Sequence, residues 1–347
     1  MLQAAVHDYV SQAEVEPIPG RLMAVIVPHA GYLYSGAVAG HAFRALQEAG
    51  CDGKTIVLIG DTHTGAGSTQ IAVWAAGAFG TPLGEVPVDE QLAQALVDAD
   101  PRIQFDRQAF RDEHPVENQI PFIQRVCPGA RIVPIVIRQP SLENAQFLAD
   151  ALVTHSADLV APGGLIIVAS TDLSHYHPYD EAQQMDEVAL QAILSLDPQV
   201  VVDSSTRCAE IGLGGANPLT MCSQGAVMTA LIAARELGAN RGTVLRYANS
   251  GDVPIGDRSQ VVGYGAVALW EESELPTNST ATFELPNLAE QPVPPLPLSP
   301  DAQAELLELA RRSAKQFLTN ETFPPVRTDS AALLQPLGAY VTYREGE

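Results

Sequence analysis

Histidine stands just past three separate apolar runs of this chain. VIVPHAGYLYSG carries His29 behind residues 22–28. VLIGDTHTG carries Asp61 and His63 behind residues 54–60. IIVASTDLSHYHPY carries Asp172, His175 and His177 behind residues 164–170. Imidazole binds metals as a neutral ligand and exchanges protons near neutral pH. It is an odd choice for packing alone directly after a buried strand. A single histidine so placed is more often an ordinary turn or core residue, so the inference rests on the trio His29, His63 and His175. His7, His41 and His155 lie within helical stretches with no chemistry beside them and read as surface or core residues. His177, in a Tyr-His-Pro turn, fits a structural role equally well.

Cys222 adds a thiol. It lies in LTMCSQGAVMTALIAARELG, directly ahead of a helical segment. A thiol at a helix N-terminus meets the positive end of the dipole, which lowers its pKa towards thiolate. Thiolate with imidazole suits zinc, copper or iron. The competing reading is that a free cysteine is a small core hydrophobe, which fits Cys51 and Cys127. Glu210, two residues after Cys208, offers a carboxylate as the alternative third ligand, completing a two-histidine, one-carboxylate set of the non-haem iron kind. A further polar cluster, DEHPVENQIPF, holds Glu113, His114, Glu117 and Gln119. A helix there would put Glu113 and Glu117 on one face; a charged helix entry with a solvated face accounts for the cluster equally well.

These residues need a scaffold, and the apolar pattern supplies one. Residues 22–28, 54–60, 131–137, 164–170, 242–248 and 261–270 are short, rich in Val and Ile, and closed by turn residues, which predicts buried strands. Residues 36–50, 88–100, 142–156, 180–196 and 224–238 show apolar residues at helical spacing. The alternation predicts an α/β fold, a layered sheet with flanking helices. Ligands in such sheets bind beyond the carboxyl ends of the strands, which is where the histidines fall. Residues 1–271 form the predicted domain. Residues 272–298, ending in a proline cluster, read as an extended linker. Residues 299–347 open with an N-capped helix, Ser299 then Pro300, and read as the N-terminal fragment of a second domain.

The 347 residues carry 19 Lys and Arg against 41 Asp and Glu, a net charge of −22. That balance repels phosphate backbones and anionic lipid, arguing against nucleic-acid and membrane-surface partners. No apolar run reaches the ~18 residues of a membrane span, and the first residues lack the basic-then-apolar order of a secretory signal. The four cysteines form no CxxC pair and read as free thiols in a reducing cytoplasm. There is no P-loop, GxSxG, HExxH or strand-linked GxGxxG. GLGGAN (212–217) reads as a flexible turn that lets the backbone approach closely.

Taken together and in order, VPHAGYLYSG, LIGDTHTG, EHPVENQIPF, STDLSH, the MCSQGA region and YANSGDVPIGDRSQVVGYGAVAL resemble the Memo family, known in bacteria and archaea as AmmeMemoRadiSam system protein B. The resemblance covers roughly residues 21–270. LSPDAQAELLELARRSAKQFL and GAYVTYREGE are similar to the opening of the AMMECR domain, AmmeMemoRadiSam system protein A. The resemblance implies a fold like the class III extradiol dioxygenases (LigB-like), which are non-haem iron enzymes. It implies that His29 and His63 are metal ligands, with Cys222 in place of the dioxygenase carboxylate. It implies that Asp172 and His175 form the catalytic pair, His175 as acid/base, and that Glu113, His114 and Asp61 line the site. The implied cofactor is one redox metal, Fe(II) first, copper second, zinc last. The implied partners are a radical-SAM protein and an AMMECR-domain protein of the same system. The chain departs from the family in having Ser223 where a glycine is usual, in beginning inside the first family helix, and in ending early in the AMMECR-like part. Three functions are compatible with this reading: a dioxygenase-like oxidoreductase, a non-catalytic iron or copper protein, and a zinc-dependent hydrolase.

Overall fold

A computed structural model describes residues 2–159 and 164–272. In chain order they form α1 (Leu2–Ser11), β1 (Arg21–Val27), α2 (Tyr32–Glu48), β2 (Thr55–Asp61), β3 (Ile71–Val73), β4 (Ala78–Thr81), β5 (Gly84–Pro87), α3 (Glu90–Ala99), β6 (Ile103–Phe105), α4 (Ile120–Val126), β7 (Arg131–Ile137), α5 (Leu142–Leu159), β8 (Leu165–Ser170), β9 (His175–His177), α6 (Tyr179–Leu194), α7 (Pro198–Glu210), α8 (Gln224–Glu236), β10 (Arg241–Asn249) and β11 (Val261–Glu271). The predicted linker and C-terminal fragment lie outside the described residues, apart from Glu272. Among the described residues, no helix is long and apolar enough to cross a membrane.

The mixed α/β architecture is as expected. One nine-stranded sheet runs β10-β11-β1-β8-β2-β7-β3-β6, with β9 added on β11. Its centre, β1-β8-β2-β7, is parallel. Helices cover both faces, which is why these strands read as unbroken apolar runs. Val25, Val27, Ile56, Leu58, Ile166 and Val168 face the side packed by α1, α2 and α4. Ile26, Val57, Ile59, Ile167 and Ala169 face the side packed by α3, α5, α6 and α8. Each such side chain, fully buried, contributes about 1.5–3 kcal/mol, so the strand ends are held on a rigid base. The short β3, β6 and β9 were not foreseen; three residues are too few for an alternation to show.

Register decides what meets at the carboxyl edge. Val27 of β1 pairs with Ser170 of β8, and Ser170 pairs in turn with Gly60 of β2. The three strands therefore end level and side by side. Pro28-His29, Thr171-Asp172 and Thr62-His63 leave the sheet at one height.

One expectation fails in the core. Cys51 and Cys127 are joined by a disulfide, with Cα atoms 5.0 Å apart, so only Cys208 and Cys222 are free thiols. Cys51 precedes β2 and Cys127 caps α4. Their 76-residue separation hides a contact that the pairing of β2 with β7 creates, since Thr55 and Arg131 are register partners and each cysteine stands four residues before one of them. The four-thiol argument for a reducing compartment loses half its basis.

Candidate metal centre

His29 is 1% exposed. Its backbone N–H and that of Ala30 donate to Asp172 Oδ1, at 2.8 and 3.2 Å. Its ring Nδ1 lies 3.0 Å from Ser170 Oγ. Ser170 has one hydroxyl hydrogen, and it goes to the Pro115 carbonyl at 2.6 Å. Ser170 Oγ must therefore accept from His29 Nδ1–H, which assigns the tautomer and leaves the lone pair on Nε2. His63 reaches the same state differently: its Nδ1 donates to the Asp61 carbonyl at 3.0 Å.

His114 completes a triangle. Ring centroids lie 5.0 Å apart for His29–His63, 5.1 Å for His29–His114 and 4.8 Å for His63–His114. One ligand nitrogen from each falls within 4.8 Å of the other two. Burial, with the charge of neighbouring histidines, holds His29 well below its ordinary pKa and lowers His114 to about 4. Both rings are therefore neutral at pH 7, the ligand form. Three nitrogens with a thiol beside them suit zinc, iron or copper; calcium and magnesium prefer oxygen.

Cys222 Sγ lies 3.2 Å from His29 Nε2. It also accepts from the Asp172 N–H at 3.2 Å, while the Cys222 N–H donates to the Asp172 carbonyl at 3.1 Å. The predicted lowering of its pKa is reversed. Burial first, and then Asp172, push the thiol up to about 12. The helix dipole does not rescue it because α8 begins at Gln224 and its first N–H groups are taken. Gly225 N and Ala226 N donate to the two oxygens of Asp61, at 2.8 and 2.9 Å. The Asp61 side chain thus caps α8, while its carbonyl orients the His63 ring. A Cβ at residue 225 would come within 2.8 Å of Asp61 Oδ1, so glycine there allows the approach.

The DEHPVENQ stretch is not the helix that a shared Glu113 and Glu117 face would need. Glu113 and His114 lie in irregular backbone ahead of a short 3-10 turn, Glu117–Gln119. What it does instead is fasten the strand ends. The carboxylate of Glu113, 3% exposed, accepts from the backbone of His63 and Thr64 and from the hydroxyls of Thr62 and Thr64. Gln119 Nε2 donates to the Pro28 carbonyl and to Ser170 Oγ. Asn118 Nδ2 donates to the His29 carbonyl at 2.7 Å.

Asp172 and His175 follow β8. Asp172 is 4% exposed, and burial raises its carboxyl to about 7 against the pull of two N–H donors. His175 donates Nδ1–H to the Leu173 carbonyl at 2.8 Å, so its Nε2 carries a lone pair, and burial lowers its pKa. Glu210, the alternative carboxylate, closes α7 and has no place in the cluster.

Asp186 was missed. It is fully buried, accepts from Ser174 N at 2.8 Å and from the Tyr247 hydroxyl at 2.7 Å, and so fixes the residue before His175. The signal was available: Ala182, Met185, Ala189, Leu190 and Ile193 make the apolar face of α6, and Asp186 falls among them. Burial raises its carboxyl to about 7, above its unfolded value. Its contribution to stability is complete below pH 4 and is lost as pH rises towards 7. Asp186→Asn removes that loss. Between pH 5 and 6 the variant's unfolding free energy should gain on wild type by about 1.4 kcal/mol per pH unit. Parallel urea titrations of the two proteins across that window check this; parallel pH profiles would refute it.

The chain is similar to known proteins over most of the described residues. Residues 1–268 match the family model described as Memo-like protein. A MEMO1 family protein of Methanopyrus kandleri, MK0963, is 37% identical over 250 residues, covering 72% of this chain and 83% of that protein. A MEMO1 family protein of Sulfolobus acidocaldarius is 40% identical over 245 residues, 70% and 80% of the two chains. The Methanothermobacter thermautotrophicus member MTH_45 is 40% identical over 244 residues, 70% and 83%.

Proposed function

This chain belongs to the Memo family, and from that premise we propose that it works through one metal ion held by His29, His63 and a third ligand, His114 or Cys222. The observation that supports this reading is the convergence of three histidine nitrogens within 4.8 Å. Iron is the first expectation and copper the second. Such an ion supplies Lewis acidity and one-electron exchange. The protein's own residues do the rest. Ser170 and the Asp61 carbonyl set the His29 and His63 tautomers. Asp172 holds the backbone at His29. His175 Nε2, with its lone pair, takes and returns a proton beside the cluster.

Metal analysis of protein purified without chelators is expected to give about one ion per chain. Anaerobic Fe(II) loading followed by oxygen exposure with phenolic substrates is expected to show uptake. His175→Ala should lower it ~100-fold, the low end for loss of a general acid or base. Bound metal with no uptake would assign a non-catalytic iron or copper protein, and no metal would refute both readings. The three-histidine set also favours one rival, because three histidines are a known zinc hydrolase arrangement; turnover with zinc and not iron would select it. A radical-SAM protein and an AMMECR-domain protein of the same system are the proposed partners, to be sought by pull-down.

A further inference from the structure

Beside His175 lies a cleft of about 630 Å³, walled by β9, by Glu181 of α6 and by the turn 214–217. That volume is typical of small-molecule sites. Its polar chemistry is one-sided. His175 has spent its ring N–H on Leu173, leaving Nε2 as an acceptor. Glu181 Oε1 takes the Gly214 N–H at 2.8 Å, which leaves Oε2. The Asn217 N–H is spent on the Gly214 carbonyl at 2.7 Å. His177, 7% exposed, has a buried Nε2 with no hydrogen-bond partner. Among the described residues, no Lys or Arg lines the cleft.

Tyr176 adds an aromatic face. It is 42% exposed and holds φ at 66°, a backbone region that bulky residues seldom occupy. Strain of this kind gathers at functional sites. A carboxylate, the His175 acceptor and an aromatic face form a cation-binding set. A carboxylate or phosphate ligand would meet Glu181 with no counter-charge, in a chain of net charge −22.

We propose that this cleft binds a small molecule bearing a protonated amine, its N–H groups directed to Glu181 and to His175 Nε2 and its carbon body resting on Tyr176. The cleft shares His175 with the proposed function, but its charge preference rests on Glu181 and is tested without metal.

Calorimetric titration of the full chain with 2-phenylethylamine, 2-phenylethanol and 3-phenylpropanoate tests the charge preference directly. The amine should bind at least ~10-fold more tightly than the alcohol or the acid. Glu181→Gln keeps the acceptor for Gly214 and removes only the charge, so the preference should vanish while the melting temperature holds. Tyr176→Gly relieves the backbone and should weaken the amine ~5-fold, through loss of the apolar face on which its carbon body rests. Equal binding of alcohol or acid, no amine binding at millimolar concentration, or an unchanged affinity in a folded Glu181→Gln would overturn the proposal. If Glu181→Gln fails to fold, the ligand preference of wild type decides.

Discussion

Protein carrying His63→Ala is expected to bind metal at least ~100-fold more weakly than wild type. Losing a residue that merely supports a ligand already costs 10–100-fold. The reason for choosing His63 is that its ring is partly exposed on the loop after β2, with Nδ1 donating to the carbonyl of Asp61 at the strand's end. Removing it takes away one corner of the triangle and leaves the sheet untouched. His29→Ala should lose as much, but it also empties a fully enclosed position and is less clean. The third ligand follows from two further variants. The family resemblance gives that place to Cys222 and the convergence of nitrogens gives it to His114. Whichever of His114→Ala and Cys222→Ser loses as much metal as His63→Ala is the ligand. Affinity near wild type in His63→Ala would refute the site itself.

The second large effect is expected at Glu113. Its carboxylate, itself buried, satisfies two backbone N–H groups and two hydroxyls of the partly exposed loop 62–64. Glu113→Ala removes the acceptor of all four, and a fully buried group left unsatisfied costs about 1–3 kcal/mol. Because water reaches part of this loop, the loss should be about 2 kcal/mol in urea denaturation. The same change frees the backbone that carries His63, so metal affinity should fall 10–100-fold. A variant with unchanged stability and unchanged metal binding would show that Glu113 fastens nothing.

The sequence disclosed the central strands and the long helices because both faces of the sheet are covered. Continuous Val and Ile runs such as RIVPIVI have no other use at that length. The histidines at the strand ends were visible for the same reason, since a polar residue just past an apolar run stands out. What stayed hidden depends on contacts between distant segments. The spacing of DEHPVENQ suggested a helix face, whereas its side chains are spent on the ends of β1, β2 and β8. Cys222 looked activated because it precedes a helix. Only the packing shows that Asp61, from another strand, already occupies that helix end. Asp186 was legible and overlooked: an acidic residue on the apolar face of the helix expected over 180–196 signals a buried partner.

The order of strands has a consequence for how the protein is made. β8 lies between β1 and β2 in space but follows both along the chain. While the protein is being synthesised, the segments ending in His29 and His63 exist for about a hundred residues with an open gap between them, since domains settle as units. Roughly 10 Å, two strand spacings, must be bridged by Leu165–Ser170 before the two histidines stand level. Ser170, which then orients His29, is the last residue of that strand. A half-made chain therefore has no assembled triangle to offer, and an ion held by the three histidines would be taken up only once β8 is in place.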